Sequence, residues 1–88
     1  MNYYVYLIAS RKKAKLKTYV GYTNDLKNRI LKHNVNKGAK STKGRKWKII
    51  YFKKYKSKSK AMSEEYILKK NKKERKHITA KFLSTNQL

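Results

Sequence analysis

The stretch Tyr3-Tyr4-Val5-Tyr6-Leu7-Ile8 decides the fold, read together with Thr18-Tyr19-Val20-Gly21-Tyr22 and Leu26-Lys27-Asn28-Arg29-Ile30-Leu31-Lys32-His33-Asn34. The first two segments are β-branched and aromatic, the composition of strands. Asn2 to Ile8 is expected as one strand and Lys17 to Tyr22 as a second, able to pair as a hairpin across a polar, basic connection from Arg11 to Lys17. Gly21 closes the second strand. Thr23-Asn24-Asp25 then offers an Asx or Thr cap, followed by an acid in the first turn, for a helix that runs to about Asn34. Leu26 and Ile30 are four apart and form its core stripe, with Leu31 beside it.

Working outward, Asn36 to Lys46 holds two of the three glycines and no large apolar group, so it reads as a basic loop. Trp47 to Tyr55 reads as a third strand. Ser57 opens a second helix that continues to about Lys72, with Ala61, Met62 and Leu68 on its apolar side. Glu74 to Leu83 is expected as a short third helix carrying Ile78 and Phe82. Three strands cannot cover their own faces, so helices must do it. The expectation is a small α/β layer fold of order ββαβα(α). It spans residues 1–88 as a single domain, with 84–88 expected to fray.

Bulk properties narrow the function. A chain of 88 residues buries only about 60–65% of its unfolded surface, so the core must be small. It has no cysteine, which excludes disulfides and thiolate zinc sites. No long apolar run opens the chain, so neither a signal peptide nor a spanning helix is expected, and a cytoplasmic location is the default. Lysine and arginine number 26 against four acids, for a net charge of +22. Such a field calls for a polyanion, and nucleic acid leads because each neutralised phosphate releases counterions. A membrane partner is not expected, for want of a strongly amphipathic basic helix with bulky anchors. Only four of these cations are arginines (Arg11, Arg29, Arg45 and Arg75). The planar guanidinium fork grips phosphate in a way lysine cannot copy.

Several residues are of types that carry chemistry. Side chains alternate along a strand, so Tyr4 and Tyr6 share a face. A phenol has a pKa near ~10, and the surrounding cations are expected to lower that of Tyr6. Arg29 and His33 are four apart and share a helix face distinct from the Leu26 and Ile30 stripe. A guanidinium there can hold a phosphate; the alternatives are an exposed pair of Arg29 with Asp25 and a solvated His33 at the helix end. Glu65 falls four after Ala61 and three before Leu68, on the side that faces the sheet. An inward carboxylate needs a partner, either a divalent metal ion or Lys69. With four acids in the whole chain, a two-metal centre lacks ligands.

These segments together resemble the GIY-YIG nuclease family, over roughly Asn2 to Lys70. Its first motif corresponds to Tyr4-Val5-Tyr6 and its second to Tyr19-Val20-Gly21, with Arg29 on the helix that follows and Glu65 in Ala61-Met62-Ser63-Glu64-Glu65. The resemblance implies a three-stranded antiparallel sheet flanked by helices. It also implies an endonuclease that hydrolyses DNA by a one-metal mechanism. Tyr6 is then the residue that takes a proton from water, Tyr19 orders that water and lines the site, Arg29 grips the phosphate, and Glu65 binds one Mg²⁺ or Mn²⁺; His33, on the helix face of Arg29, is counted with these catalytic residues.

The loop Asn34-Val35-Asn36-Lys37-Gly38-Ala39-Lys40-Ser41-Thr42 resembles the small stand-alone, UvrC-type branch. It departs from that branch at Ser41, often an aromatic there, and at Trp47, often a proline. Lys37, Gly38, Lys40, Thr42, Lys43, Arg45 and Lys69 are the expected nucleic-acid contacts, with Gly38 admitting the phosphate and Thr42 donating to it. The partner is DNA, branched or damaged forms included, with RNA as a second possibility and a protein partner as a source of specificity. The competing reading is a non-catalytic basic module that binds RNA or DNA, or a degenerate nuclease. Charge suits all of these equally; the placement of Tyr6, Tyr19, Arg29 and Glu65 separates them.

Overall fold

The computed structural model describes residues 1–88. Strand β1 (Tyr3–Lys12) and strand β2 (Lys15–Thr23) form a hairpin, followed by helix α1 (Leu26–Asn34), a single 3₁₀ turn (Lys40–Thr42), strand β3 (Lys48–Tyr55), helix α2 (Lys58–Lys70) and helix α3 (Lys72–Leu83). The sheet is antiparallel throughout, with strand order β2-β1-β3. The ββαβαα order and the three-stranded sheet are those expected from the sequence.

β1 is central, and its alternation builds both halves of the core. Val5 and Leu7 face one way and pack with Val20 of β2 and with Ala61 and Leu68 of α2. Tyr6 and Ile8 face the other way and pack with Trp47, Tyr19, Ile49, and Leu26 and Ile30 of α1. β3 carries a bulge: Leu7 pairs with Tyr51 and Ile8 with Ile49, leaving Ile50 as an extra residue. Each α-helix opens on a side-chain cap that satisfies a free backbone N–H. Asp25 accepts from the Asn28 N–H at 3.2 Å, Ser57 from Lys60 at 3.0 Å, and Asn71 from Glu74 at 3.0 Å.

The structure differs from the sequence expectations in four places. The strands of the hairpin run on through Arg11 to Lys17 and close on a two-residue loop, Lys13-Ala14, with Lys12 paired to Lys15. No Gly, Asn or Asp marks this turn, and Lys13 adopts a left-handed φ of 58°. α2 stops at Lys70 and α3 begins at Lys72, because Asn71 caps both helices. Leu31 and Met62, expected on buried stripes, are exposed. Asp25 is itself the cap of α1, so no acid lies in that helix's first turn.

A non-glycine residue in the left-handed region costs about 1–2 kcal/mol, offset in part by the greater chain entropy of glycine. Lys13→Gly is therefore expected to stabilise the fold by roughly 0.5–1 kcal/mol. A chemical-denaturation midpoint that stays fixed or falls would show that the turn is unstrained.

Candidate active site

The centre of the site is a phenol with almost no contact with water. Tyr6 is 1% exposed, and its hydroxyl lies 2.8 Å from His33 Nε2. The Arg29 Nε–H donates to the same hydroxyl at 3.4 Å. β1 supplies the tyrosine and α1 supplies both partners, because positions 29 and 33 are one helical turn apart. The Tyr19 ring, on the neighbouring strand, lies 5.1 Å from the His33 ring and 6.5 Å from the Tyr6 ring, centroid to centroid. Gly21 makes this approach possible. A Cβ at that position would collide with the Tyr6 hydroxyl and lie 3.1 Å from its Cε2.

His33 is the larger surprise. The sequence placed it on the helix face of Arg29, with a solvated helix end as the alternative; the imidazole is fully buried. Its Nδ1 lies 2.9 Å from Thr42 Oγ1, and the Thr42 hydroxyl donates to the Ala39 carbonyl at 2.7 Å. Burial, reinforced by the positive charge of Arg29, lowers the His33 pKa to about 4. The ring is neutral at physiological pH. Burial also raises the Tyr6 pKa, and Arg29 offsets only part of that. The expectation that cations would lower it is therefore reversed: dehydration of the phenolate outweighs the guanidinium. The Arg29 guanidinium is held more firmly protonated, first through its hydrogen bond to Tyr6. No ion pair joins it to Asp25; the two chain positions meet only in the backbone bond Arg29 N–H to Asp25 C=O at 3.0 Å.

Glu65 approaches from α2. Its side chain is 18% exposed, and its partner is Lys69 at 3.7 Å. Its charge reaches Tyr6, adding to the upward push on the phenol. Tyr6, Tyr19, Arg29 and His33 thus meet in one cluster; Glu65 stands on α2, which packs on the Val5 and Leu7 face of the sheet, and only its charge is felt at the phenol. Nowhere do three His, Cys, Asp or Glu side chains gather as a ready-made metal cage, and both nitrogens of His33 already face hydrogen-bond partners. The donor set for an ion is one carboxylate. That suits a hard divalent ion that keeps most of its waters and takes its other ligands from phosphate oxygens.

The loop residues divide. Lys37, Lys40 and Lys43 are exposed on the surface beside the site. Thr42 is not a surface donor: it is fully buried, and its single hydroxyl proton goes to Ala39. Gly38 leaves room for the His33 ring, where a Cβ would collide with Nδ1. Arg45 braces the loop against the hairpin, donating from Nη2 to the Ser10 and Lys15 carbonyls at 3.2 Å each. Lys69 faces Glu65. Asn34, and Trp47, noted in the sequence only as a departure from the related loop, hold this loop in place. Asn34 donates to the Trp47 carbonyl at 3.1 Å, and the Trp47 indole N–H donates to the Thr42 carbonyl at 2.8 Å. The only tryptophan of a lysine-rich chain, placed at a strand edge, was the signal available for them.

The His33 shift sets a pH dependence. The unfolded chain takes up this proton near pH 6.5, whereas the folded chain resists until about 4. Between those values the unfolded state binds more protons, so stability is full above 6.5 and falls as the pH drops. The loss is expected to reach roughly 3 kcal/mol. Denaturation midpoints from pH 7 to 4 check this, with His33→Gln flattening the profile. An unchanged slope in that variant would remove His33 as the cause.

Residues 2–78 match the family model described as the GIY-YIG catalytic domain. A UPF0213 protein of Oceanobacillus iheyensis is 44% identical over 69 residues, covering 77% of each chain. A UPF0213 protein of Streptococcus pneumoniae is 46% identical over 70 residues, covering 78% of this chain and 68% of the other. The solution NMR structure of a UPF0213 protein from Bacillus halodurans is 36% identical, with a TM-score of 0.49 over 91% of this chain and 84% of that one. The chain belongs to the GIY-YIG family.

Proposed function

We propose that this protein is a metal-dependent endonuclease that hydrolyses phosphodiester bonds in DNA by a one-metal mechanism. The observation that carries the reading is the Tyr6 hydroxyl, buried and bonded both to a neutral imidazole and to a guanidinium. Exposed cations suffice to grip phosphate; a hydroxyl set between a proton acceptor and a guanidinium is what proton transfer from water calls for.

The chemistry follows from these partners. As water approaches phosphorus, it gives a proton to the Tyr6 oxygen while Tyr6 passes its own proton to His33 Nε2. The phenol never has to exist as a free phenolate, which its burial disfavours; burial and Arg29 disfavour the imidazolium too, so the proton rests on His33 only in passing. Arg29 bonds to the Tyr6 oxygen and places its remaining N–H groups toward a non-bridging phosphate oxygen, where charge grows in the transition state. Tyr19, against the His33 ring, limits where the water can stand. The new P–O bond forms as the bond to the leaving oxygen breaks; solvent protonates that oxygen, and the proton held on His33 returns through the Tyr6 oxygen to solvent, restoring the neutral pair. A Mg²⁺ or Mn²⁺ held by Glu65 would supply positive charge at the phosphate. Lys37, Lys40 and Lys43 extend the cationic surface along the backbone. Lysine-rich contact of this kind is indifferent to base sequence, so target choice falls to DNA shape or to a protein partner.

Incubation with supercoiled plasmid and with branched DNA, in Mg²⁺, Mn²⁺ or EDTA, tests the reading. Cleavage is expected with metal and not with EDTA. Tyr6→Phe is expected to slow the chemical step by roughly 10²–10⁴-fold. Glu65→Gln is expected to abolish metal-dependent cleavage with DNA binding nearly intact. Tight, salt-sensitive binding with no cleavage of any substrate, RNA included, would instead favour a non-catalytic nucleic-acid-binding module.

A further inference from the structure

Proton transfer from Tyr6 to His33 needs a bare lone pair at Nε2. An imidazole does not guarantee one, since in water the tautomer with the proton on Nε2 is the more populated. Something beyond the ring must select the other form.

The far side of the ring supplies it. Thr42 Oγ1 sits 2.9 Å from His33 Nδ1 and 2.7 Å from the Ala39 carbonyl oxygen. A carbonyl can only accept, and a hydroxyl has one proton. The Thr42 proton is therefore committed to Ala39, and Oγ1 must accept from Nδ1–H. In a neutral imidazole this leaves Nε2 unprotonated, facing the Tyr6 hydroxyl at 2.8 Å. Thr42 is itself fixed. It closes the 3₁₀ turn, its N–H donates to Ala39 at 3.0 Å, and its carbonyl receives the Trp47 indole at 2.8 Å. Gly38 bounds the ring from the same loop, leaving no space for a Cβ within 2.9 Å of Cε1 and Cγ.

We propose that Thr42 is a positioning residue: by accepting the Nδ1 proton it holds His33 in the tautomer whose Nε2 can receive the Tyr6 proton. The loop from Gly38 to Thr42, and not the helix that carries His33, thereby sets the direction in which that proton leaves. The catalytic weight of this arrangement rests on the nuclease reading above; the tautomer itself does not.

Nitrogen-15 NMR of the His33 ring in the wild-type protein decides the first point. A protonated Nδ1 and a bare Nε2 are expected, and a protonated Nε2 would overturn the proposal. Thr42→Val keeps the side-chain shape and removes the hydroxyl. It is expected to move the ring toward the Nε2–H tautomer and to lower kcat on plasmid by roughly 10–100-fold with KM little changed. Thr42→Ser, which restores the hydroxyl, is expected to return both readouts to wild type. A valine variant that keeps the wild-type tautomer, or a serine variant that loses it, would sink the idea; the serine arm stands even if the valine variant does not fold. If the wild type cuts no nucleic acid, the nuclease reading fails while the NMR arms still decide what Thr42 does.

Discussion

A hydroxyl buried in the middle of a sheet must be bonded or it costs the fold about 1–3 kcal/mol. Tyr6 meets that condition through His33 and Arg29, and the rest of the molecule is arranged around the bond. α1 must lie across β1 closely enough to bring Nε2 to 2.8 Å. β2 must carry a glycine at position 21 to let the phenol in. The loop after α1 must fold back so that the other imidazole nitrogen is met. Half of the core, from Tyr6 through Ile8 to Trp47, is shaped by a polar chain running through it.

The opposite half of the core is ordinary. Val5, Leu7, Val20, Ala61 and Leu68 pack as aliphatic residues between sheet and α2. Their role in the site is indirect: they set the height and rotation of α2, and so where Glu65 stands. Because Ala61 and Leu68 flank it by four and three residues, Glu65 leans toward the sheet side without entering it. A strongly cationic surface surrounds all of this. That surface repels itself, which makes the few bonded arginines more valuable as braces. Arg45 ties the loop to the hairpin, and Arg75 donates to the Leu68 carbonyl at 3.0 Å, capping the end of α2.

The fold was largely legible in the sequence because local signals agreed with it. Aromatic strands, a capped helix and a glycine-bearing loop fall in an order that few topologies accept. The hairpin turn was not legible, since Lys13-Ala14 is held by strand pairing against its own backbone preference. The exposure of Leu31 and Met62 was missed because a 13-residue α2 and a nine-residue α1 each bury too narrow a stripe for every apolar side chain. Within the site, sequence spacing brought Tyr6, Arg29 and Glu65 to notice. It placed Thr42 and Gly38 on the surface, because periodicity says nothing about where a loop returns. The burial of His33, and hence its neutrality, depends on that return.

The polar chain from Tyr6 to Ala39 also constrains how this protein can diverge. Its members are among the most deeply buried side chains in the molecule, so each is held in place by the folding free energy as well as by any chemistry. Replacing His33 by an apolar residue leaves the Tyr6 hydroxyl proton without an acceptor; replacing Thr42 by an apolar residue strands a ring nitrogen. A lineage that lost these groups would have to change positions 6, 33 and 42 in concert, toward a wholly apolar interior. Relatives that keep all three polar groups, even without a carboxylate at position 65, are to be expected on the demands of the fold alone.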